Sequence, residues 1–164
     1  MPAEPAPAAA APGRLWRSAS PAATQALAAA LGRAARPGDV VLLVGPLGAG
    51  KTCFVQGLAR GLGVTTPVKS PTFVLLVEHH GRVPLAHLDL YRIEGARPLD
   101  ELGIEEQAET HVLAVEWGEK LADRLDDGLV VELAEDGEGR AVRARALGPR
   151  GREWLRAWAE AAPA

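Results

Sequence analysis

The chain has 164 residues, 48 % of them hydrophobic, which is enough for one compact domain with its own core. Eighteen Lys and Arg against 21 Asp and Glu give a formal net charge of −3, which argues against a protein that grips nucleic acid alone through a basic face. The single cysteine excludes an intramolecular disulfide, which fits a reducing compartment. No aliphatic run approaches the roughly 20 residues that span a bilayer. We therefore expect a cytoplasmic protein without a membrane partner.

The first 14 residues differ in composition from the rest of the chain. Residues 1–14 are rich in Pro and Ala and predict a disordered extension. They lack the early positive charge and the Leu-rich stretch of a signal peptide. Because no internal repeat or linker follows, we expect residues 15–164 to form a single domain.

The first half of this domain predicts a helix, a buried strand and a second helix. Ser20 is a suitable N-cap and Pro21 a suitable first-turn residue for the first helix. The apolar run at 40–44 does not alternate, which is typical of a strand buried on both faces of a parallel sheet. After a glycine-rich loop, residues 52–63 predict a helix that Gly61 and Gly63 close.

The second half predicts two hairpins, one buried strand and three helices. Extended segments at 72–80 and 83–91 form the first hairpin, and those at 129–136 and 140–147 suggest a second hairpin at a sheet edge. The remaining segments are an acidic helix at 98–107, a buried strand at 111–117, a short helix at 118–125 and an amphipathic helix at 152–162. We therefore expect an α/β fold with three layers, P-loop NTPase-like, whose sheet is mainly parallel with antiparallel hairpin additions.

One motif carries chemistry, the pattern G-x-x-x-x-G-K-T between the first buried strand and the following helix. Its glycines allow successive backbone N–H groups to form a concave anion site, to which the helix N-terminus adds its partial positive charge. A lysine reaches the β- and γ-phosphates, and a threonine hydroxyl is a magnesium ligand. The pattern thus predicts a site for ATP and Mg²⁺ at Gly45, Pro46, Leu47, Gly48, Ala49, Gly50, Lys51 and Thr52.

Such a loop requires an acidic partner at the end of a neighbouring strand to hold the metal. Asp89 and Glu116 each end a predicted strand. We assign magnesium to Asp89, directly or through water, and give Glu116 either a supporting role at the metal or the orientation of the attacking water. The sequence does not separate these two roles. Lys51, Asp89 and Glu116 are the predicted catalytic residues, and Thr52, Asp89 and Glu116 the predicted metal ligands.

With these residues in view, the chain resembles the TsaE family, bacterial ATPases required for making N6-threonylcarbamoyladenosine in tRNA. The resemblance spans roughly residues 18–150 and rests on several motifs in a fixed order. They are GPLGAGKT at 45–52, VKSPTF at 68–73, HLDLYR at 87–92, DELGIEE at 100–106 and VEWGEK at 115–120.

The resemblance implies a small P-loop fold with weak ATPase activity that works in complex with two partners, TsaD and TsaB. Contact with tRNA would come only through that complex. It also implies that Ser70, Pro71 and Thr72 belong to a switch-like segment near the γ-phosphate. Trp117 would adjoin the nucleotide.

Two positions depart from the family pattern. Pro46 stands where an acidic residue is common and donates no N–H; because this position of the loop tolerates variation, we expect nucleotide binding to survive with an altered affinity. Cys53, the last residue of the predicted nucleotide-binding set, stands where a second threonine is common. We interpret it as a small helix residue; the alternative is an oxidation-sensitive thiol whose pKa the helix N-terminus lowers.

Two other functions fit the same loop. A small-molecule kinase would need an acceptor-binding region and a lid after the loop helix, and the hairpin that follows leaves little room for them. A nucleotide-gated binding module with negligible turnover would use ATP only to change its affinity for a partner.

Overall fold

A computed structural model describes residues 13–70, 76–93 and 103–163. The strands in these ranges are β1 (Arg14–Ser18), β2 (Val40–Val44), β3 (Leu76–His79), β4 (Leu85–Asp89), β5 (Val112–Glu116), β6 (Leu129–Asp136) and β7 (Gly139–Ala146). The helices are α1 (Pro21–Arg33), α2 (Lys51–Gly61), α3 (Ile104–Thr110) and α4 (Pro149–Ala161). Two 3₁₀ turns follow β5, at Gly118–Lys120 and Ala122–Arg124.

The described strands form one sheet in the order β1-β7-β6-β2-β5-β4-β3. The four central strands, β6, β2, β5 and β4, run parallel to one another. Each predicted hairpin adds an antiparallel neighbour, β3 beside β4 and β7 beside β6. This arrangement confirms the predicted α/β fold with antiparallel hairpin additions.

The edge of the sheet differs from the prediction. The second hairpin does not end the sheet, because β1 pairs antiparallel with β7 and covers it. This strand was not predicted, since its short and largely polar sequence has no clear alternation, and the open backbone groups of β7 provide the pairing. β1 begins at Arg14, one residue inside the stretch expected to be disordered; residues 1–12 lie outside the described ranges.

Two predicted helices also differ in their bounds. The acidic helix is observed at Ile104–Thr110, and the part predicted at 98–102 lies outside the described residues. The segment at 118–125 forms two 3₁₀ turns separated by Leu121 instead of one helix. A segment this short gains few of the hydrogen bonds that propagate an α-helix, so tighter turns satisfy its backbone equally well.

Helices cover both faces of the sheet and complete the three layers. Neighbouring residues of β2 point to opposite sides: Val41 and Leu43 pack under α1, α2 and α4, while Leu42 packs toward α3 and the 3₁₀ turns. Trp154 and Trp158 of α4 are fully buried, and their indole N–H groups donate to α1 carbonyls at 3.0 and 2.9 Å. Both tryptophans thereby anchor the predicted amphipathic helix in the core. No helix in the described ranges is long and apolar enough to cross a membrane.

The contact between α1 and α2 depends on glycine. A Cβ on Gly57 would lie 2.3 Å from the carbonyl oxygen of Gln25, and one on Gly61 would lie 2.1 Å from that of Ala29. These carbonyl oxygens belong to the backbone of α1, so they could make room for a Cβ only if the helix itself moved. The close approach fixes α2, and with it the loop that precedes α2.

We expect Gly57→Ala to lower the free energy of unfolding by about 2–3 kcal/mol, the usual cost of overpacking. Alanine in an unconstrained helix would instead stabilise by about 1 kcal/mol, so any net loss measures the steric conflict. Urea unfolding followed by circular dichroism is the measurement. An unchanged or raised unfolding free energy would contradict the helix contact described above.

Candidate functional site

The glycine-rich loop lies at the carboxyl ends of the parallel strands, between β2 and α2, as the motif requires. Gly50 caps α2 with φ +106°, a conformation that residues with a Cβ rarely adopt. At Gly45 a Cβ would lie 2.3 Å from the carbonyl oxygen of Leu133 on β6. The glycines therefore serve both the left-handed backbone of the loop and its close contact with the neighbouring strand.

Lys51, the first residue of α2, is held at the mouth of this loop. Its side chain is buried, with Nζ donating to the carbonyl oxygens of Gly45 and Pro46. The ammonium also lies 3.9 Å from the centre of the Trp117 ring. Burial lowers the pKa of Lys51, while the charges of Glu116, Glu119 and Asp89 act in the opposite direction. The ammonium of Lys51 can attract an anionic ligand, whereas the neighbouring carboxylates repel such a ligand unless a further cation balances their charge.

Glu116, the last residue of β5, joins this loop to β4. Its Oε1 accepts a hydrogen bond from the Thr52 hydroxyl at 2.9 Å. Its Oε2 lies 2.6 Å from Nε2 of His87, a fully buried residue of β4. The other ring nitrogen of His87 has no hydrogen-bond partner in the described part of the chain, so Nε2 is the group that donates to Glu116. Both carboxylate oxygens of Glu116 are thus fixed by side chains.

Asp89 lies beside Glu116, because β4 and β5 pair with these two residues in register. Its Oδ1 accepts from the backbone N–H of Tyr91 at 2.9 Å, and its Oδ2 accepts from the hydroxyl of Ser70 at 3.4 Å. His87 lies two residues before Asp89 on β4 and binds the carboxylate of the neighbouring strand.

These side chains line one open cleft with a volume of about 380 Å³. Tyr91 and Trp117 form its aromatic wall, with ring centres 5.0 Å apart. Trp117 has φ 59°, a left-handed conformation that costs a non-glycine residue energy and turns its ring toward Lys51. Among the residues that the structure describes, the cleft is lined by Leu47, Gly48, Gly50, Lys51, Thr52, Cys53, Ser70, Asp89, Tyr91, Glu116 and Trp117.

Most of the predicted site residues therefore meet in one place. Gly45, Pro46 and Ala49 do not line the cleft, but the first two provide the carbonyl groups that bind Lys51. Pro71 and Thr72 lie outside the described residues. Burial raises the pKa of the Cys53 thiol, contrary to the lowering expected of an activated thiol, and its Sγ donates to the carbonyl oxygen of Pro21 at 3.5 Å.

Sequence reasoning did not single out three residues around the cleft. Tyr91 and Lys120 belong to motifs that were recognised, yet nothing in the spacing assigned them a contact. Lys120 Nζ donates to the carbonyl groups of Leu90, Tyr91 and Ile93 and so fixes the turn after Asp89. The third, Arg140, lies on a distant hairpin and carries no local signal at all.

The parallel sheet and the glycine-rich loop at its carboxyl edge define a P-loop NTPase-like fold. The family model "Threonylcarbamoyl adenosine biosynthesis protein TsaE" matches residues 18–144. The chain belongs to the TsaE family, whose role is in tRNA threonylcarbamoyladenosine biosynthesis.

Individual relatives agree with this assignment. The chain is 40 % identical to the tRNA threonylcarbamoyladenosine biosynthesis protein TsaE of Bacillus subtilis over 140 residues, which cover 82 % of this chain and 87 % of the relative. It is 46 % identical to the Treponema pallidum protein of the same name over 98 residues, covering 59 % and 73 % of the two chains. The crystal structure of Bacillus subtilis YdiB superposes with a TM-score of 0.76 at 33 % identity, covering 90 % of this chain and 95 % of that one.

Proposed function

We propose that this protein binds ATP with Mg²⁺ and hydrolyses it slowly, in support of threonylcarbamoyl transfer to the adenosine beside the tRNA anticodon. One observation carries the proposal: Lys51 and Thr52 of the loop share a cleft with Asp89 and Glu116 from two neighbouring strands. A cation, a hydroxyl and two carboxylates at the end of a parallel sheet are the groups that phosphoryl transfer requires.

Binding of the triphosphate would use the loop backbone and Lys51. The N-terminus of α2 carries a partial positive charge at this point, and Gly50 begins the helix without any side-chain cap. Lys51 Nζ would exchange its two carbonyl partners for phosphate oxygens, a stronger charge-assisted pairing. Tyr91 and Trp117 supply an aromatic surface along the same cleft.

The donor set fits magnesium, which prefers hard oxygen ligands and keeps several waters. Thr52 and Glu116 would hold the ion, since their oxygens are already 2.9 Å apart, and Asp89 would contribute directly or through water. This geometry favours Glu116 over Asp89 as the residue nearer the metal, the reverse of the order inferred from the sequence. When bound, the ion supplies charge neutralisation at the phosphates.

Hydrolysis requires a water molecule aligned with the terminal phosphorus, so that the new P–O bond forms as the bond to ADP breaks. Asp89 is suited to orient this water, because its carboxylate lines the cleft next to Glu116. A single positioned carboxylate without a cation from a partner is consistent with slow turnover.

Partner proteins complete the proposed function. We infer that the protein works in the cytoplasm with TsaD-like and TsaB-like proteins and meets tRNA only in their complex. Family membership supports this inference, and so does the formal net charge of −3, which leaves little attraction for a free polyanion.

The test combines a binding assay with an assay in cells. Titration of the purified protein with ATP and MgCl₂ should give saturable binding that EDTA abolishes, together with slow release of phosphate. Depletion in the native cell should lower threonylcarbamoyladenosine in bulk tRNA, measured by nucleoside mass spectrometry. Failure to bind ATP would overturn the site assignment, and unchanged tRNA would overturn the cellular role. Rapid phosphate transfer to a small metabolite would favour a kinase instead.

The bond between His87 and Glu116 leads to a further prediction. His87→Leu removes the donor to Oε2 and should lower the hydrolysis rate at saturating Mg·ATP about tenfold, the usual effect of losing a partner behind a metal ligand. KM should change less than threefold, because Lys51 and the loop are untouched. His87→Gln keeps a donor and should recover most of the rate. A wild-type rate in the leucine variant would contradict this role.

A further inference from the structure

The hairpin formed by β6 and β7 reaches past the end of β2 and runs beside the glycine-rich loop. Val44, the last residue of β2, pairs with Glu132, and β6 continues to Asp136 before the chain turns. Because β6 is parallel to β2, this turn lies at the carboxyl edge of the sheet, where the loop also lies. Arg140, the second residue of β7, is brought to the loop by this topology.

The guanidinium of Arg140 binds the backbone of the loop directly. Its Nε donates to the carbonyl oxygen of Ala49 at 2.9 Å, and one Nη donates to that of Gly48 at 3.3 Å. Its other Nη donates to the carbonyl oxygen of Gly139 at 2.8 Å, which fixes the side chain on its own strand. Because the guanidinium is planar and rigid, these three hydrogen bonds fix the orientation of the Arg140 side chain relative to the loop.

We propose that Arg140 is a positioning residue that preorganises the loop for the phosphates of the nucleotide. In a trans peptide the C=O and N–H groups point in opposite directions, so binding the Ala49 carbonyl turns the Gly50 N–H away from Arg140. Gly48 and Gly50 have φ +80° and +106° and no Cβ to restrict their peptides. A free loop would sample orientations in which carbonyl oxygens repel the phosphates. Arg140 removes this freedom before the ligand arrives.

This inference rests on the proposed function, yet the two can fail separately. In calorimetric titrations with Mg·ADP, Arg140→Met keeps the aliphatic stem and should weaken binding about tenfold, or about 1.4 kcal/mol. Arg140→Lys keeps the charge but not the fork and should fall between this variant and the wild type. Arg145→Ala is the control, because it removes the same charge from an exposed position on the same strand.

Three measurements distinguish positioning of the loop by Arg140 from a catalytic role, from a simple charge attraction and from a loss of folding. In Arg140→Met the affinity should fall by a larger factor than the hydrolysis rate at saturating Mg·ATP, because the catalytic carboxylates are untouched. The loss of affinity should persist at 0.5 M salt, where a purely through-space attraction is screened. Thermal unfolding of both variants establishes that they are folded.

An affinity for Mg·ADP within twofold of wild type in Arg140→Met would overturn the proposal. The proposal would also fail if Arg140→Lys bound Mg·ADP as tightly as the wild type and the weaker binding of Arg140→Met disappeared at high salt. If the wild type itself does not bind Mg·ADP, the proposed function fails first.

Discussion

Replacing Lys51 by alanine is expected to lower the affinity for Mg·ATP by about 100-fold or more, beyond detection in a standard titration. No other Lys or Arg lines the cleft, so no neighbour can replace the lost ammonium among the described residues. The fold should persist, because Lys51 bonds only to loop carbonyls that water can satisfy. Removing a partly desolvated charge from the mouth of the loop even relieves a cost of folding.

Arg145→Ala is the control, since it removes an exposed cation from β7 without touching the loop or the cleft. It should leave the affinity within twofold of wild type. Equilibrium binding measured by calorimetry, with thermal unfolding in parallel, completes the comparison. Normal affinity in Lys51→Ala would remove the loop from the nucleotide site.

Glu116→Gln should lower the rate of ATP hydrolysis by about 100-fold while leaving a folded protein. Glutamine keeps the size of the side chain and an acceptor for the Thr52 hydroxyl. It removes the negative charge and presents an amide to His87 Nε2, so the 2.6 Å contact there is weakened. Because Thr52 and Glu116 are the proposed metal pair, the magnesium concentration for half-maximal binding should also rise.

Comparison of Glu116→Gln with Asp89→Asn distinguishes the role of Glu116 from that of Asp89. Asp89→Asn should suppress hydrolysis with a smaller change in magnesium dependence, because its carboxylate bonds to Ser70 and Tyr91 instead of Thr52. Glu119→Gln, an exposed acid next to the same strand, is the control for charge alone. If Asp89→Asn alters the magnesium requirement more strongly than Glu116→Gln, the original assignment of the metal to Asp89 is the better one.

Several features of the fold could be predicted because their causes are local. The unalternating apolar run at 40–44 indicated a strand buried on both faces, and Ser20 with Pro21 indicated the start of α1, where the Ser20 hydroxyl accepts from the N–H of Ala23. Both hairpins followed from extended runs joined by short polar turns. Short-range propensity does not describe β1, since an edge strand depends on the neighbour that pairs with it.

The glycine-rich loop was likewise apparent from the chain alone, because Gly50 and Lys51 act through the backbone conformation and the charge of one short segment. Tertiary structure decided which side chains meet that segment. Glu116 reaches Thr52 across 64 residues, His87 reaches Glu116 across 29, and Arg140 reaches Ala49 across 91. The individual hydrogen bonds depend on how strands that are far apart in the chain are ordered in the sheet and aligned with one another, and spacing along the sequence does not give these partners.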